Sequence, residues 1–360
     1  MRIILSAAVT ADGYLDDNTP QRLMISTAAD WEAVQQLRAS CDAILVGAET
    51  LRRDNPALRL RDDTMRRQRM AEGRQADLTK VVLTRSGRLD PAMRFFTEGE
   101  AERIVFAPKE LPDLQPYATV ISSNGEEITA AYVITELEKR GIGRLLVEGG
   151  AGILRMFLRE GRADEVRLAV NPQLRLGAGR GGARFRFEAP ATASCRRECL
   201  DGMEVAHYTL HPDTTSEDLG LLQEAIDESR RCTPCRTSYC VGAVIETCDG
   251  QRFRGYTHES SATHHAEQEA IRKAIEAGAS LRGAAIYTSM EPCSKRASEP
   301  ESCTQLILRH GFARVVFALY EPDCFVCCRG ALTLREAGLD VRCYPQMGKQ
   351  VRAINAHLWQ

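Results

Sequence analysis

His264-His-Ala-Glu-Gln-Glu-Ala-Ile-Arg-Lys-Ala-Ile-Glu-Ala277, then Ala284-Ala-Ile-Tyr-Thr-Ser289, then Met290-Glu-Pro-Cys293, is the stretch on which this chain's reading turns. The first piece reads as a helix and the second as a strand, and a further helix is expected to begin near Cys303. Upstream, a helix and the strands Val241–Thr247 and Arg252–Tyr256 are expected. Downstream come a strand Arg314–Leu319, a helix Arg329–Ala337 and a strand Asp340–Cys343. Such an order describes a compact three-layer α/β unit.

The best domain boundary is His211-Pro-Asp-Thr-Thr-Ser-Glu-Asp218, which is polar and contains proline. Leu219, Leu222 and Ile226 then recur at helical spacing, with Asp218 a candidate cap. Before the boundary, Met203, Val205, His207 and Thr209 alternate as a final strand. Earlier strands are expected at Arg2–Ala8, Ala43–Val46, Lys80–Thr84, Arg103–Phe106, Thr119–Ser122, Arg144–Glu148 and Glu165–Asn171. Helices are expected at Thr27–Ala39, Thr129–Arg140 and Ala151–Arg159, with Arg61–Gln75 a loop or an exposed helix. Strands alternating with helices predict a mostly parallel sheet covered on both faces.

At 360 residues, length alone suggests two or three domains, and the single boundary favours two. The 47 basic and 49 acidic side chains nearly cancel, so no strong field draws the chain to nucleic acid or a membrane surface. No apolar run approaches the roughly 18 residues of a membrane span. Ile3-Ile-Leu5 meets Asp12-Gly13 too soon for a secretion signal and reads as a buried strand. Thirteen cysteines, an odd number, fit free thiols and a metal site in a reducing compartment, so the cytoplasm is expected.

His265, Cys293 and Cys303 offer one imidazole and two thiolates, a set that suits zinc with a fourth position left for water. Zinc lowers the pKa of such a water from 15.7 to about 7. Glu267, two residues from His265, would not share its line along a helix, and could carry a proton from water to a departing amine. The H-x-E…P-C…C order is the pattern of zinc-dependent base deaminases. Lys295 and Arg296, in the loop between the thiols, are candidates for a phosphate contact; the alternative is a solvated charged loop. Cys232-x-x-Cys235 with Cys324-x-x-Cys327 would make a separate tetrathiolate site, although buried small side chains are the preferred reading.

No G-x-G-x-x-G occurs in the first domain. Two strand ends there could still hold a dinucleotide. Leu145-Leu-Val-Glu-Gly-Gly150 precedes a helix, where glycines let backbone N–H groups approach a pyrophosphate. Val82-Leu-Thr-Arg-Ser86 offers a hydroxyl and a guanidinium suited to the extra phosphate of NADPH.

The residues Tyr239-Cys-Val-Gly-Ala-Val-Ile245, His265-Ala-Glu267, Glu291-Pro-Cys293, Cys303 and Ala313-Arg-Val-Val316 resemble the pyrimidine deaminase domain of the bifunctional riboflavin-biosynthesis deaminase/reductases. Thr10-Ala-Asp-Gly13, Leu37-Arg-Ala39, Asp42-Ala-Ile-Leu-Val-Gly47, Thr50, Asp54-Asn-Pro-Ala-Leu58, Arg61 and Val147-Glu-Gly-Gly150 resemble the reductase domain of the same enzymes. The resemblance implies an α/β protein with a dihydrofolate-reductase-like domain at 1–212 and a cytidine-deaminase-like domain at 217–360, the reverse of the usual bacterial order.

By position it implies that Val9, Thr50, Asp54, Arg85, Gly149 and Gly150 line an NADPH site. Arg22, Arg38, Leu58, Arg61, Glu148 and Lys295 would contact substrate, with Arg38 and Arg61 as a phosphate clamp. Arg22 stands where many relatives carry a small hydroxyl, and Arg236–Gly242 replaces an asparagine- and proline-rich stretch. The implied chemistry is zinc-dependent deamination of 2,5-diamino-6-ribosylamino-pyrimidinone 5′-phosphate and NADPH-dependent reduction of its ribosyl group to ribityl. The alternatives are a related pteridine-like or azapteridine pathway, or a deaminase with a non-catalytic reductase-like domain. The partners expected are a phosphorylated aminopyrimidine and, as a possible assembly, a second copy in a homodimer. No nucleic acid and no membrane are expected.

Overall fold

The computed structural model describes residues 1–19, 21, 23–296, 299–322 and 328–358. Its contacts divide the chain into two compact units. One holds Arg2–Val133 and Ile142–Pro212; the other holds Asp213–Gln360 with Met1 and Ile134–Gly141.

The N-terminal part of the chain runs β1 (Arg2–Thr10), α1 (Ala28–Ala39), β2 (Ala43–Gly47), α2 (Ala48–Asp54), α3 (Asp63–Ala71), β3 (Thr79–Leu83), α4 (Arg94–Thr97), β4 (Arg103–Ala107), β5 (Thr119–Ser122), α5 (Ala130–Glu138), β6 (Arg144–Glu148), α6 (Ala151–Arg159), β7 (Glu165–Asn171), β8 (Ser194–Leu200) and β9 (Met203–Thr209). The sheet order is β5-β4-β3-β2-β6-β1-β7-β9-β8. The pairs from β5 to β7 are parallel, as with Ile4 beside Leu146, and the last two strands are antiparallel. Every residue of β2 and β3 is buried, because parallel strands covered on both faces need apolar side chains in both directions. Ile44, Val46, Val82, Val105 and Leu146 join Phe95, Phe96, Leu51 and Leu60 in one core. Lys80 interrupts β3; its buried ammonium is satisfied by the carbonyls of Phe95 (3.3 Å) and Glu98 (2.6 Å).

The 61–75 segment contains the helix α3. The buried Arg69 secures it, its guanidinium donating to the Ala39 and Cys41 carbonyls at 2.6 Å each. Strand β8 was not expected, since Ser-Cys-Arg-Arg-Glu-Cys-Leu shows no apolar alternation on an open sheet edge. Its signal was Asp201-Gly202, both at positive φ (48° and 85°), the two-residue turn that closes a hairpin.

The C-terminal part runs α7 (Thr215–Ser229), β10 (Gly242–Glu246), β11 (Arg252–Tyr256), α8 (Ala266–Glu276), β12 (Ala285–Met290), α9 (Cys303–Arg309), β13 (Arg314–Leu319), α10 (Gly330–Glu336), β14 (Asp340–Cys343) and α11 (Gly348–Ile354). The sheet order is β11-β10-β12-β13-β14, antiparallel through β12 and parallel beyond it. Strand periodicity separates two cores. Ala243, Ile245, Ile286 and Phe317 face α8, α9 and α10, while Val244, Tyr287 and Val316 face α7 and α11.

Asp218 does not cap α7. The helix starts three residues earlier, at Thr215, and Asp218 lies buried in its first turn. Burial of that carboxylate is met by Arg314 (2.5 Å), Tyr344 (2.5 Å) and Thr214 (3.2 Å).

Candidate functional site

Three chain segments deliver the metal-ligand candidates. His265 is the N-cap residue of α8, Cys293 follows the end of β12, and Cys303 opens α9 behind the cap Ser302. Ser302 and Gln305 form a reciprocal capping box that fixes where α9 starts, and so where Cys303 stands. One donor atom from each of His265, Cys293 and Cys303 lies within 4.8 Å of the others, and this is the one such cluster among the described residues. His265 Nδ1 is 3.6 Å from Cys293 Sγ and 3.5 Å from Cys303 Sγ. A tetrahedral zinc, with Zn–S about 2.3 Å and Zn–N about 2.0 Å, spans about 3.5 Å between neighbouring nitrogen and sulfur donors, so the set fits that ion.

The thiols are held unequally. Contact with Cys303 and with His265 holds Cys293 down to about 4, whereas the Cys293 sulfur and burial push Cys303 up. Glu267 is 3% exposed, and burial raises its carboxyl above the usual range. One carboxyl oxygen accepts from Thr288 Oγ1 (3.3 Å) and the other faces Cys303 Sγ (3.3 Å). The carboxylate therefore stands beside the donor cluster and outside the three-donor set.

Several supporting residues went unrecognised in the sequence. The buried Glu291 accepts from the backbone N–H groups of Ala331 (2.8 Å) and Glu321 (3.3 Å), and burial pushes its carboxyl up to about 7. Thr304 Oγ1 donates to the Cys293 carbonyl at 2.9 Å. Gly330 lies so close to the Pro292 carbonyl oxygen that a Cβ there would stand 1.9 Å from it. Glu-Pro-Cys was visible as a motif; the groups that clamp it come from α9 and α10. Lys295 is exposed, while Arg296 donates to Gln268 (3.1 Å) and to the Thr263 carbonyl, tying its loop to α8. Cys324 and Cys327 lie outside the described residues, as does Arg22. Cys235 Sγ is 3.0 Å from Ser238 Oγ.

In the first unit the carboxyl ends of β3, β2, β6 and β1 are successive neighbours. They bring Arg85, Thr50, Gly149–Gly150 and Val9 to one sheet edge, where open α/β sheets hold ligands. Gly149 and Gly150 have φ of 85° and 80°; a Cβ on Gly149 would meet Thr50 Oγ1 at 3.3 Å, and one on Gly150 the Gly47 Cα at 3.9 Å. Conformation favours glycine at both positions, and at Gly149 the close approach of Thr50 adds to it. Arg85 is exposed just past β3, Val9 is buried in β1, and Asp54 ends α2 before the left-handed Asn55.

The phosphate-clamp reading changes for Arg38. It is only 6% exposed, and its guanidinium forks onto Glu148, with Nε–Oε1 at 2.9 Å and Nη2–Oε2 at 2.5 Å. A buried guanidinium needs a carboxylate, so that fork is already filled. The exposed Arg61 and Arg38 both lie over the Trp31 ring, at 5.1 and 5.0 Å from its centroid. Leu58, at φ 50°, points into the core, 4% exposed.

Comparison with known proteins places these sites within two family models. Residues 1–192 match the model described as the RibD C-terminal domain, and residues 215–319 match the cytidine and deoxycytidylate deaminase zinc-binding region. A Schizosaccharomyces pombe diaminohydroxyphosphoribosylamino-pyrimidine deaminase is 42% identical over 120 residues, 33% of this chain. A Methanothermobacter thermautotrophicus 2,5-diamino-6-ribosylamino-4(3H)-pyrimidinone 5′-phosphate reductase is 30% identical over 177 residues, 48% of this chain and 78% of the relative. The riboflavin biosynthesis protein RibD of Escherichia coli is 39% identical over 101 residues, 28% of this chain. The chain spans 30% of the length of the fission-yeast protein and 26% of the E. coli protein. The domain named for the C-terminal half of RibD stands first in this chain.

Proposed function

This chain belongs to the RibD C-terminal-domain family, with a deaminase zinc-binding region following it, and from that premise we propose a bifunctional deaminase and reductase of riboflavin biosynthesis. The observation that carries the proposal is the convergence of His265, Cys293 and Cys303 beside the buried Glu267 carboxylate. The substrate proposed is 2,5-diamino-6-ribosylamino-pyrimidinone 5′-phosphate, in keeping with the names of the relatives.

His265, Cys293 and Cys303 would hold zinc, which supplies the acidity that turns water into a nucleophile near neutral pH. Glu267 accepts the proton that water loses and returns it to the departing amine, so that water and substrate yield ammonia and a ring carbonyl. Thr288 keeps one Glu267 oxygen in place while the other faces the cluster. Lys295, exposed on the loop between the thiols, is proposed to meet the substrate phosphate.

In the reductase unit, Gly149–Gly150, Thr50, Asp54, Val9 and Arg85 are proposed to bind NADPH, which supplies the hydride for the sugar C1 carbon. Arg61, Arg22 and the Arg38–Glu148 pair would line the sugar-phosphate side. The paired Arg38 contributes shape and a fixed charge rather than a free fork.

Among the described residues no helix is long and apolar enough to cross a membrane. A cytoplasmic location rests on the thiol-rich, odd cysteine count, and a homodimer is the assembly to test by light scattering. Mass spectrometry of products from the diaminopyrimidine phosphate, with and without NADPH, tests the whole reading. A loss of one amino group without cofactor and a gain of two hydrogens with it are expected. An unchanged substrate rejects the proposal.

A further inference from the structure

The ligand His265 caps α8 without any side-chain cap of its own, so the backbone that brings it to the cluster must be held from elsewhere. That backbone is the segment 258–264. It begins at His258, a non-glycine residue at φ 64°, and is closed by the His258 N–H bond to the His264 carbonyl at 2.9 Å. A residue in that region persists only where its surroundings impose it.

The surroundings are supplied by α8. Glu269 lies one turn past His265, and side chains on a helix lean back toward its N-terminus. Its fully buried carboxylate reaches into the segment. Glu269 Oε1 accepts from Ser260 N (3.0 Å) and Ser260 Oγ (2.5 Å), and lies 3.0 Å from His264 Nδ1. Glu269 Oε2 accepts from Arg272 Nε (3.2 Å) and Nη2 (3.0 Å). One turn further on, Lys273 donates to Glu259 Oε1 at 2.6 Å, a second fastening of the same segment to the same helix. The buried charge is fully engaged, and every donor on its Oε1 side lies within five residues before the ligand.

We propose that Glu269 is a positioning residue for the metal ligand His265: by fastening Ser260 and His264 to α8 it sets where the imidazole enters the cluster. The proposal rests on the zinc reading above. The Oε1 contacts need an acceptor and not a charge, so glutamine should preserve them by turning its NH2 toward Arg272, whose guanidinium keeps its bond to Glu276 at 2.6 Å, while alanine should not.

The test uses the full chain as Glu269→Ala and Glu269→Gln, with zinc affinity measured by competition against a chelating dye and the Co(II)-substituted absorption spectrum recorded. Alanine is expected to weaken zinc about 10- to 100-fold and to shift the Co(II) bands, while glutamine stays within about threefold of the parent. An alanine variant with parent affinity and spectrum overturns the positioning role and leaves the zinc reading standing. A parent chain that binds no zinc, or that keeps it as Cys293→Ser, overturns both. Should Glu269→Ala not fold, His264→Ala removes one partner from the segment itself: weaker zinc binding supports the proposal, and unchanged binding overturns it.

Discussion

Replacing Gly330 by alanine adds a Cβ that the structure places 1.9 Å from the Pro292 carbonyl oxygen and 3.0 Å from Thr304 Oγ1. Gly330 has no positive φ, so the substitution acts by contact alone. Ordinary carbon–oxygen contact needs about 3.4 Å or more, and relief therefore requires a separation larger by about 1.5 Å. The atom met is backbone, not the end of a flexible side chain, and it belongs to the residue before Cys293. The loop cannot retreat freely, because Thr304 holds the Cys293 carbonyl and the carboxylate of Glu291, the residue before Pro292, accepts from the Ala331 N–H. The displacement must then be shared between the start of α10 and the thiol. A misplacement of about 1 Å at a reacting centre can cost on the order of 100-fold in rate. Zinc content by elemental analysis and deaminase kcat are the assays, expected to fall together by one to two orders of magnitude while reduction by NADPH persists. Full zinc occupancy with kcat within twofold of the parent would refute the argument that α10 abuts the ligand loop.

Glu267→Gln should keep its zinc and lose about 10²- to 10⁴-fold in ammonia release, because the amide cannot carry a proton; comparable turnover rejects the role. Arg38→Met leaves the Glu148 carboxylate part-buried without its partner and should cost about 3 kcal/mol, seen as a lowered thermal transition that Arg38→Met/Glu148→Gln recovers in part. An unchanged transition in the single variant would show that the pair is energetically idle. Lys80 is held down to about 8 by burial. Folding thus disfavours its charge relative to the unfolded chain, the penalty is complete below pH 8, and stability should recover between pH 8 and about 10.5 as the folded and unfolded chains converge. The full effect is on the order of 3 kcal/mol. Comparing denaturant midpoints of parent and Lys80→Met across that interval isolates it, and parallel pH profiles would contradict it.

The candidate zinc-donor set was legible because H-x-E, Pro-Cys and a helix-opening Cys combine residue chemistry with local spacing, both of which survive in one dimension. The Arg38–Glu148 pair was half legible. Both residues were singled out, but 110 positions separate them, and only the β2–β6–β1 arrangement brings the α1 arginine onto the carboxylate. The hairpin strand β8 was missed because an exposed edge carries no apolar alternation to read. Asp218 was misread because a cap and a buried network member look alike until Arg314 and Tyr344 arrive from β13 and from just beyond β14.

Local order and chemistry therefore came from the chain alone: alternating elements, buried central strands, a three-donor set for zinc and a glycine turn after β6. Their periods and side-chain types are properties of neighbours in sequence. Which groups hold those donors in place was decided only by the tertiary structure: Glu291 on Ala331, Gly330 under Pro292, Glu269 on Ser260 and His264. Hydrogen bonds and steric contacts between distant segments depend on how the layers pack, and no local pattern encodes that distance.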